Sequence, residues 1–202
     1  NIVMIMSEAF SDISNSESIN FDEYGDPLEF YNQFINRDDV ISGHIVVPNF
    51  GGGTSDTEFD VLTGCSTKYI DSSQVSYNFI RKPMEAMPRL LKNIGYDTLA
   101  IHPGYGWFYN RTNVYKNMGF DDFIYLEEDF DPSTQNKGGY ISDEVTTQSI
   151  IDNFENHVKN NDDPLFEFCV TIQNHGPYEE KYENLKTNFS TDIQLTDDEK
   201  AI

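Results

Sequence analysis

Short apolar runs alternate with amphipathic stretches along most of this chain. Residues 2–6 (Ile-Val-Met-Ile-Met) are continuously apolar, as expected for a strand buried in a parallel sheet. Residues 44–47 and 98–101 read as further strands, the first ended by Pro48, and residues 123–126 as a short one. Residues 165–172 form a last, nearly all-apolar strand. Between them lie helical patterns. Residues 27–35 offer Leu28, Phe30, Phe34 and Ile35 to a core, and residues 55–62 form a helix stopped near Gly64. A helix introduced by Pro83 and Pro88 carries Met87, Leu90, Leu91 and Ile94 on one face and stops at Gly95. Residues 112–118 are a short helix. Residues 142–159 are the clearest one, capped by Ser142 or Asp143, with Ile150, Ile151, Phe154 and Val158 on one face. No internal repeat is visible.

This alternation predicts an α/β fold with a largely parallel, doubly wound sheet flanked by helices. In such sheets ligands gather beyond the carboxyl ends of the strands. Glu8, Thr54, His102 and His175 all fall just after predicted strands or in strand-linked loops, so they are read together as one site.

Composition narrows the partners. The chain has 13 basic and 35 acidic residues, a net charge of −22, which argues against nucleic acid and against unaided docking on an anionic membrane. Cys65 and Cys169 have no metal-like spacing. A disulfide is one reading, and a pair of buried free thiols fits better. No segment is long and apolar enough to span a bilayer. The chain opens directly on a strand, and Thr196-Asp197-Asp198-Glu199 reads as a capping box whose helix would stop at Ile202. Both ends are expected to be cuts within a longer protein.

The chemistry centres on Gly51-Gly52-Gly53-Thr54-Ser55-Asp56-Thr57-Glu58-Phe59. Glycines permit φ > 0 and close approach of a ligand, and a helix N-terminus favours an anion. Thr54 at that point is placed to attack phosphorus or sulfur, whereas a plain N-capped turn is the ordinary alternative. Glu8 can ligate a hard or borderline cation, or be a solvated loop acid. His102 and His175 can bind substrate or donate a proton, or simply bond backbone. Arg111 closes the aromatic run Trp107-Phe108-Tyr109-Asn110 and can grip a phosphate or sulfate, or sit at the surface. His44 and His157 are assigned to structure.

Four segments, Ile5-Met6-Ser7-Glu8-Ala9-Phe10, Gly53-Thr54-Ser55-Asp56-Thr57-Glu58-Phe59, Phe108-Tyr109-Asn110-Arg111 and Asn174-His175-Gly176-Pro177-Tyr178, occur in an order that resembles the extracellular catalytic domain of the lipoteichoic acid synthases. These are sulfatase-like phosphoglycerol transferases of the alkaline phosphatase superfamily. The resemblance implies that residues 1–202 are the N-terminal part of a single sulfatase-like catalytic domain, incomplete at the C-terminus. It implies Thr54 as nucleophile and metal ligand, Glu8 as second metal ligand, and His102, Arg111 and His175 as holders of the glycerophosphate group. Tyr109 stands where the family usually has Trp. The metal is expected to be Mn²⁺, with Mg²⁺ or Zn²⁺ as alternatives. The donor is a phosphatidylglycerol-type lipid and the acceptor a glycerophosphate polymer. The full-length protein is expected in the cell membrane of a Gram-positive-type bacterium, anchored by helices absent here, with its catalytic domain extracellular. The family's later Gly-Asp-His metal motif is missing, since no Asp-His dipeptide occurs in these residues. They are therefore expected to hold half a metal site and to be weak or inactive alone. Other readings are a sulfatase, a phosphodiesterase, a phosphoethanolamine transferase, or a non-catalytic domain that binds anionic polymers or lipids. Thr54-Ser55-Asp56 lacks the Cys/Ser-x-Pro-x-Arg context of a typical sulfatase.

Overall fold

Parallel strands with helices on both faces make up the larger part of the computed structural model, which describes residues 1–70, 73–178, 181–182 and 189–196. The helix expected after Thr196 falls outside the described residues. The elements run β1 (Ile2–Met6), α1 (Glu29–Ile35), α2 (Thr54–Thr63), α3 (Met87–Lys92), β2 (Asp97–His102), α4 (Arg111–Met118), β3 (Asp122–Tyr125), α5 (Leu126–Asp129), α6 (Pro132–Gln135), β4 (Asn136–Lys137), β5 (Tyr140–Ile141), α7 (Asp143–Asn160) and β6 (Leu165–Val170). They divide into two compact units.

The first unit comprises Asn1–Glu8 and Val47–Asn174. Its sheet has the order β1-β6-β2-β3 and every pairing is parallel, as the strand–helix alternation predicts. Side chains alternate across a strand. Phe166, Phe168 and Val170 of β6 therefore point to one face, where they pack with Ala100, Phe59, Leu62, Val114, Tyr115 and Met118. Cys169 points to the other, with Ile101 and Ile150 of α7. All strands point the same way, so Ser7-Glu8, His102 and Thr171 leave the sheet at one end. The backbone N–H of Glu8 donates to Thr171 Oγ1 across that end, at 3.1 Å.

α3 buries only part of its apolar face: Met87 and Leu91 pack on the core, while Leu90, and Ile94 just past the helix end, are exposed. In α7, Ile150 is buried and Ile151 and Val158 are exposed. The strand expected at residues 44–47 does not form, because an apolar run becomes a strand only where a ladder partner exists, and Val46 is 97% exposed. Cys65 is exposed and Cys169 buried, both free thiols, which corrects the expectation of a buried pair.

The second unit comprises Ala9–Val46 and His175–Ile202. Asn20 and Ser190 exchange two backbone hydrogen bonds of 2.8 Å, and the Phe10 and Tyr31 rings lie 5.2 Å apart. The Phe30 and Phe34 rings of α1 are exposed rather than in a core.

Glu167 lies in mid-strand on β6, fully buried, with neither carboxylate oxygen paired among the described residues. Burial pushes its carboxyl up to about 7. Between roughly pH 4.5 and 7 the unfolded chain gives up this proton while the folded protein keeps it, so stability falls as pH rises through that window. The loss levels off at about 3 kcal/mol. Glu167→Gln is expected to remove this slope, so that the variant exceeds the parent in stability at pH 8 and approaches it at pH 4. Urea unfolding at the two pH values measures this; an equal difference at both would refute it.

Candidate active site

Gly51, Gly52 and Gly53 all adopt positive φ, at 70°, 138° and 76°. An L side chain is strained in that region, so three glycines here are a backbone requirement. Gly53 caps α2, which then begins at Thr54 and ends on the left-handed Gly64. Asp56, in the first turn, accepts a 2.7 Å hydrogen bond from the Ser76 N–H, which ties the helix start to the following loop.

Thr54 Oγ1 donates to Glu8 Oε1 at 2.7 Å, joining residues 46 positions apart. Both side chains are half-buried. Two oxygen donors thus converge on one point, a donor set that suits a hard or borderline divalent cation. Among the described residues no group of three or more His, Cys, Asp and Glu side chains forms a metal cluster. Glu8 and Thr54 could supply two ligands to such a cation, and any others would have to come from elsewhere.

His102, at the end of β2, is buried. Its Nδ1 donates to the Val170 carbonyl at 2.9 Å. A carbonyl only accepts, so the proton of the neutral ring sits on Nδ1 and Nε2 is its acceptor nitrogen. Gly104 packs against that edge, where a Cβ would come within 2.5 Å of Nε2 and 2.9 Å of Ile172 Cδ1. Gly104→Ala is expected to cost about 1–3 kcal/mol and to displace the imidazole. Thermal melts and the ring ¹⁵N shifts of His102 report the two effects, and unchanged shifts would contradict the packing argument.

Arg111 starts α4 after two residues with positive φ, Tyr109 (56°) and Asn110 (58°). Sequence placed Arg111 against a phosphate; here it is 1% exposed and bound side-on to the equally buried Glu58. Its Nη2 donates to Glu58 Oε1 at 2.5 Å and its Nε to Oε2 at 3.4 Å. Tyr115 and Tyr77 donate to the same Oε2 at 2.6 Å and 2.8 Å. Burial pushes the Glu58 carboxyl up, but the charge and hydrogen bonds of Arg111 and Tyr115 outweigh it and hold the carboxyl below its ordinary value. Burial and the Glu58 charge push both tyrosine hydroxyls well up. The Arg111 guanidinium lies over the Tyr109 ring at 5.2 Å. Burial raises the Tyr109 hydroxyl, Arg111 opposes this, and Glu8, Glu58 and Asp56 reinforce it, so Tyr109 stands among these groups.

The structure therefore brings Glu8 and Thr54 into contact and sets the Arg111 guanidinium over the Tyr109 ring, with His102 near Glu58. His175 belongs to the second unit, where it is exposed and its Nδ1 lies 2.7 Å from the Gly176 carbonyl oxygen. Glu58 went unread as a site residue, although its spacing of four from Thr54 puts both on one face of a helix.

The Sulfatase family model matches residues 1–198. A Rhizobium meliloti protein named for cyclic β-1,2-glucan modification is 35% identical over 180 residues, covering 89% of this chain and 26% of that protein. The Streptococcus pyogenes phosphoglycerol transferase GacH, solved with sn-glycerol-1-phosphate, has a TM-score of 0.77 at 24% identity over the whole of this chain and 51% of its own. The lipoteichoic acid synthase LtaP of Listeria monocytogenes has a TM-score of 0.74 at 22% identity, over 88% of this chain and 41% of its own. The chain thus spans about a quarter of the curated relative and about half of the solved chains.

Proposed function

Because the chain belongs to the sulfatase family, we propose that it carries the nucleophile half of a phosphoglycerol transferase site. In this reading Thr54 takes glycerophosphate from a phosphatidylglycerol-type lipid and passes it to the hydroxyl of a glycerophosphate polymer. The observation that carries the reading is the 2.7 Å contact of Thr54 Oγ1 with Glu8, at a helix start reached through three positive-φ glycines.

Glu8 and Thr54 would hold the divalent metal, taken as Mn²⁺. A bound metal of this kind polarises a phosphoryl oxygen and lowers the pKa of the hydroxyl. Glu8 orients the Thr54 O–H, so the hydroxyl lone pairs face away from the carboxylate. Attack would form a Thr54 Oγ1–P bond and break the P–O bond to diacylglycerol, with the proton lost by Thr54 balanced by the one gained by the departing diacylglycerol oxygen. The N–H groups at the start of α2 face the charge that develops on the phosphoryl oxygens. Arg111 adds a cation, and His102 and His175 are the further candidates for holding the group. An acceptor hydroxyl then displaces Thr54 and restores it. The acceptor could equally be a glucan hydroxyl, a second reading favoured by the β-glucan relative at 35% identity. Among the described residues no helix is long and apolar enough to cross a membrane. Anchoring of the catalytic domain outside the cell membrane would fall to other parts of the full-length protein.

The test is mass spectrometry of the full-length protein after incubation with Mn²⁺ and phosphatidylglycerol. A glycerophosphoryl adduct on the Thr54 peptide is expected. A folded, metal-loaded protein without an adduct, or with one on another residue, overturns the reading.

A further inference from the structure

Arg111 keeps one donor in reserve. Nε and Nη2 are engaged by Glu58, while Nη1 is buried with no hydrogen-bond partner among the described residues. A buried, unpaired donor on a charged group is costly, and in a native protein it calls for a partner. The guanidinium cannot turn to find one. Glu58 grips it side-on, the guanidinium carbon lies over the Tyr109 ring, and the whole side chain is 1% exposed. Glu58 is itself fixed, since its Oε2 accepts from Tyr77 and Tyr115 as well as from Arg111 Nε. The Tyr77 and Tyr115 rings also pack edge-on, with centroids 6.3 Å apart. Glu58 lies one helical turn after Thr54 on α2, and helical side chains lean toward the N-terminus. Glu58 therefore shares a face of α2 with Thr54, and its ion pair brings Arg111 of α4 to that face.

We infer that Glu58, held by Tyr77 and Tyr115, is a positioning residue that locks Arg111 so that Nη1 is presented to an anionic oxygen of the phosphoryl group acted on at Thr54. This rests on the transfer reading for its substrate class, and it adds three residues to that site, none of which touches substrate. A side-on Arg–carboxylate pair fixes the plane of the guanidinium as well as its position, which a single contact would not. Pre-organisation of this kind removes the ordering cost at the moment of binding.

The test measures binding of sn-glycerol-1-phosphate to the full-length protein by calorimetry, with thermal melts alongside. Glu58→Gln is expected to weaken binding at least tenfold, and Arg111→Lys by a similar factor. The double variant should be no weaker than either single one, because both changes break the same device. Tyr115→Phe keeps the packing and removes one donor to Glu58; it should weaken binding about threefold with a melting temperature near the parent's. Unchanged affinity in a folded Glu58→Gln or Tyr115→Phe protein overturns the inference, and so does a folded parent protein that fails to bind the probe. Should the parent bind and these losses appear while no Thr54 adduct forms, the transfer reading fails and the positioning role stands.

Discussion

Thr54→Ala is expected to lower glycerophosphate transfer by the full-length protein by roughly 10³- to 10⁶-fold, the scale on which nucleophile removal acts. The structure separates this loss from unfolding. Thr54 is half-buried, sits at the first position of α2, and makes one side-chain hydrogen bond, to Glu8. Alanine is a good helix former there, and loss of that bond costs about 1 kcal/mol. The variant should therefore melt near the parent and yet form no covalent adduct. Thr54→Ser retains the hydroxyl and should keep far more activity. Release of diacylglycerol from phosphatidylglycerol measures all three proteins. A Thr54→Ala protein within tenfold of the parent would exclude Thr54 as the nucleophile and leave a binding role as the better account of the site.

Arg111→Ala should destabilise the protein by about 3–5 kcal/mol, because it strands a buried carboxylate. Glu58 is fully buried and would retain only its two tyrosine donors. In the parent, the Arg111 charge and hydrogen bonds overcome burial and hold the Glu58 carboxyl low. The parent's stability from this group is present above the carboxyl's unfolded value and is lost as pH falls through its folded value. In the variant burial, the largest effect, is opposed mainly by the tyrosine hydrogen bonds, so the carboxyl moves up and the sign reverses. The deficit against the parent should be largest at pH 7–8 and shrink as pH falls toward 4. Urea titrations at pH 5 and pH 8 check this. A deficit under 1 kcal/mol that ignores pH would mean that the pair contributes nothing net. Replacing Glu58 and Arg111 together by apolar residues of similar volume should recover much of the loss, since no charge then stays buried alone.

Features that depend only on neighbours along the chain were legible before folding. Gly51-Gly52-Gly53 permitted the positive φ that the loop adopts, and the helix expected over residues 55–62 forms as Thr54–Thr63. The apolar runs of β1, β2 and β6 and the caps at Ser142 and Gly64 were legible because hydrophobic period and terminal hydrogen bonds are local properties. The remaining features arise from contacts between distant segments. Whether residues 44–47 pair into a sheet depends on a partner strand that the segment itself cannot supply, and the exposure of Phe30 depends on what its helix meets. The same holds for charge. An arginine beside aromatics reads as a free cation until the fold brings it to Glu58, 53 residues earlier, and buries both. Tyr77 and Tyr115 join that carboxylate from two further segments, and Glu8 reaches Thr54 from the end of the edge strand. Backbone preference acts over a few residues, whereas burial and ion pairing act between groups that only the folded chain makes neighbours.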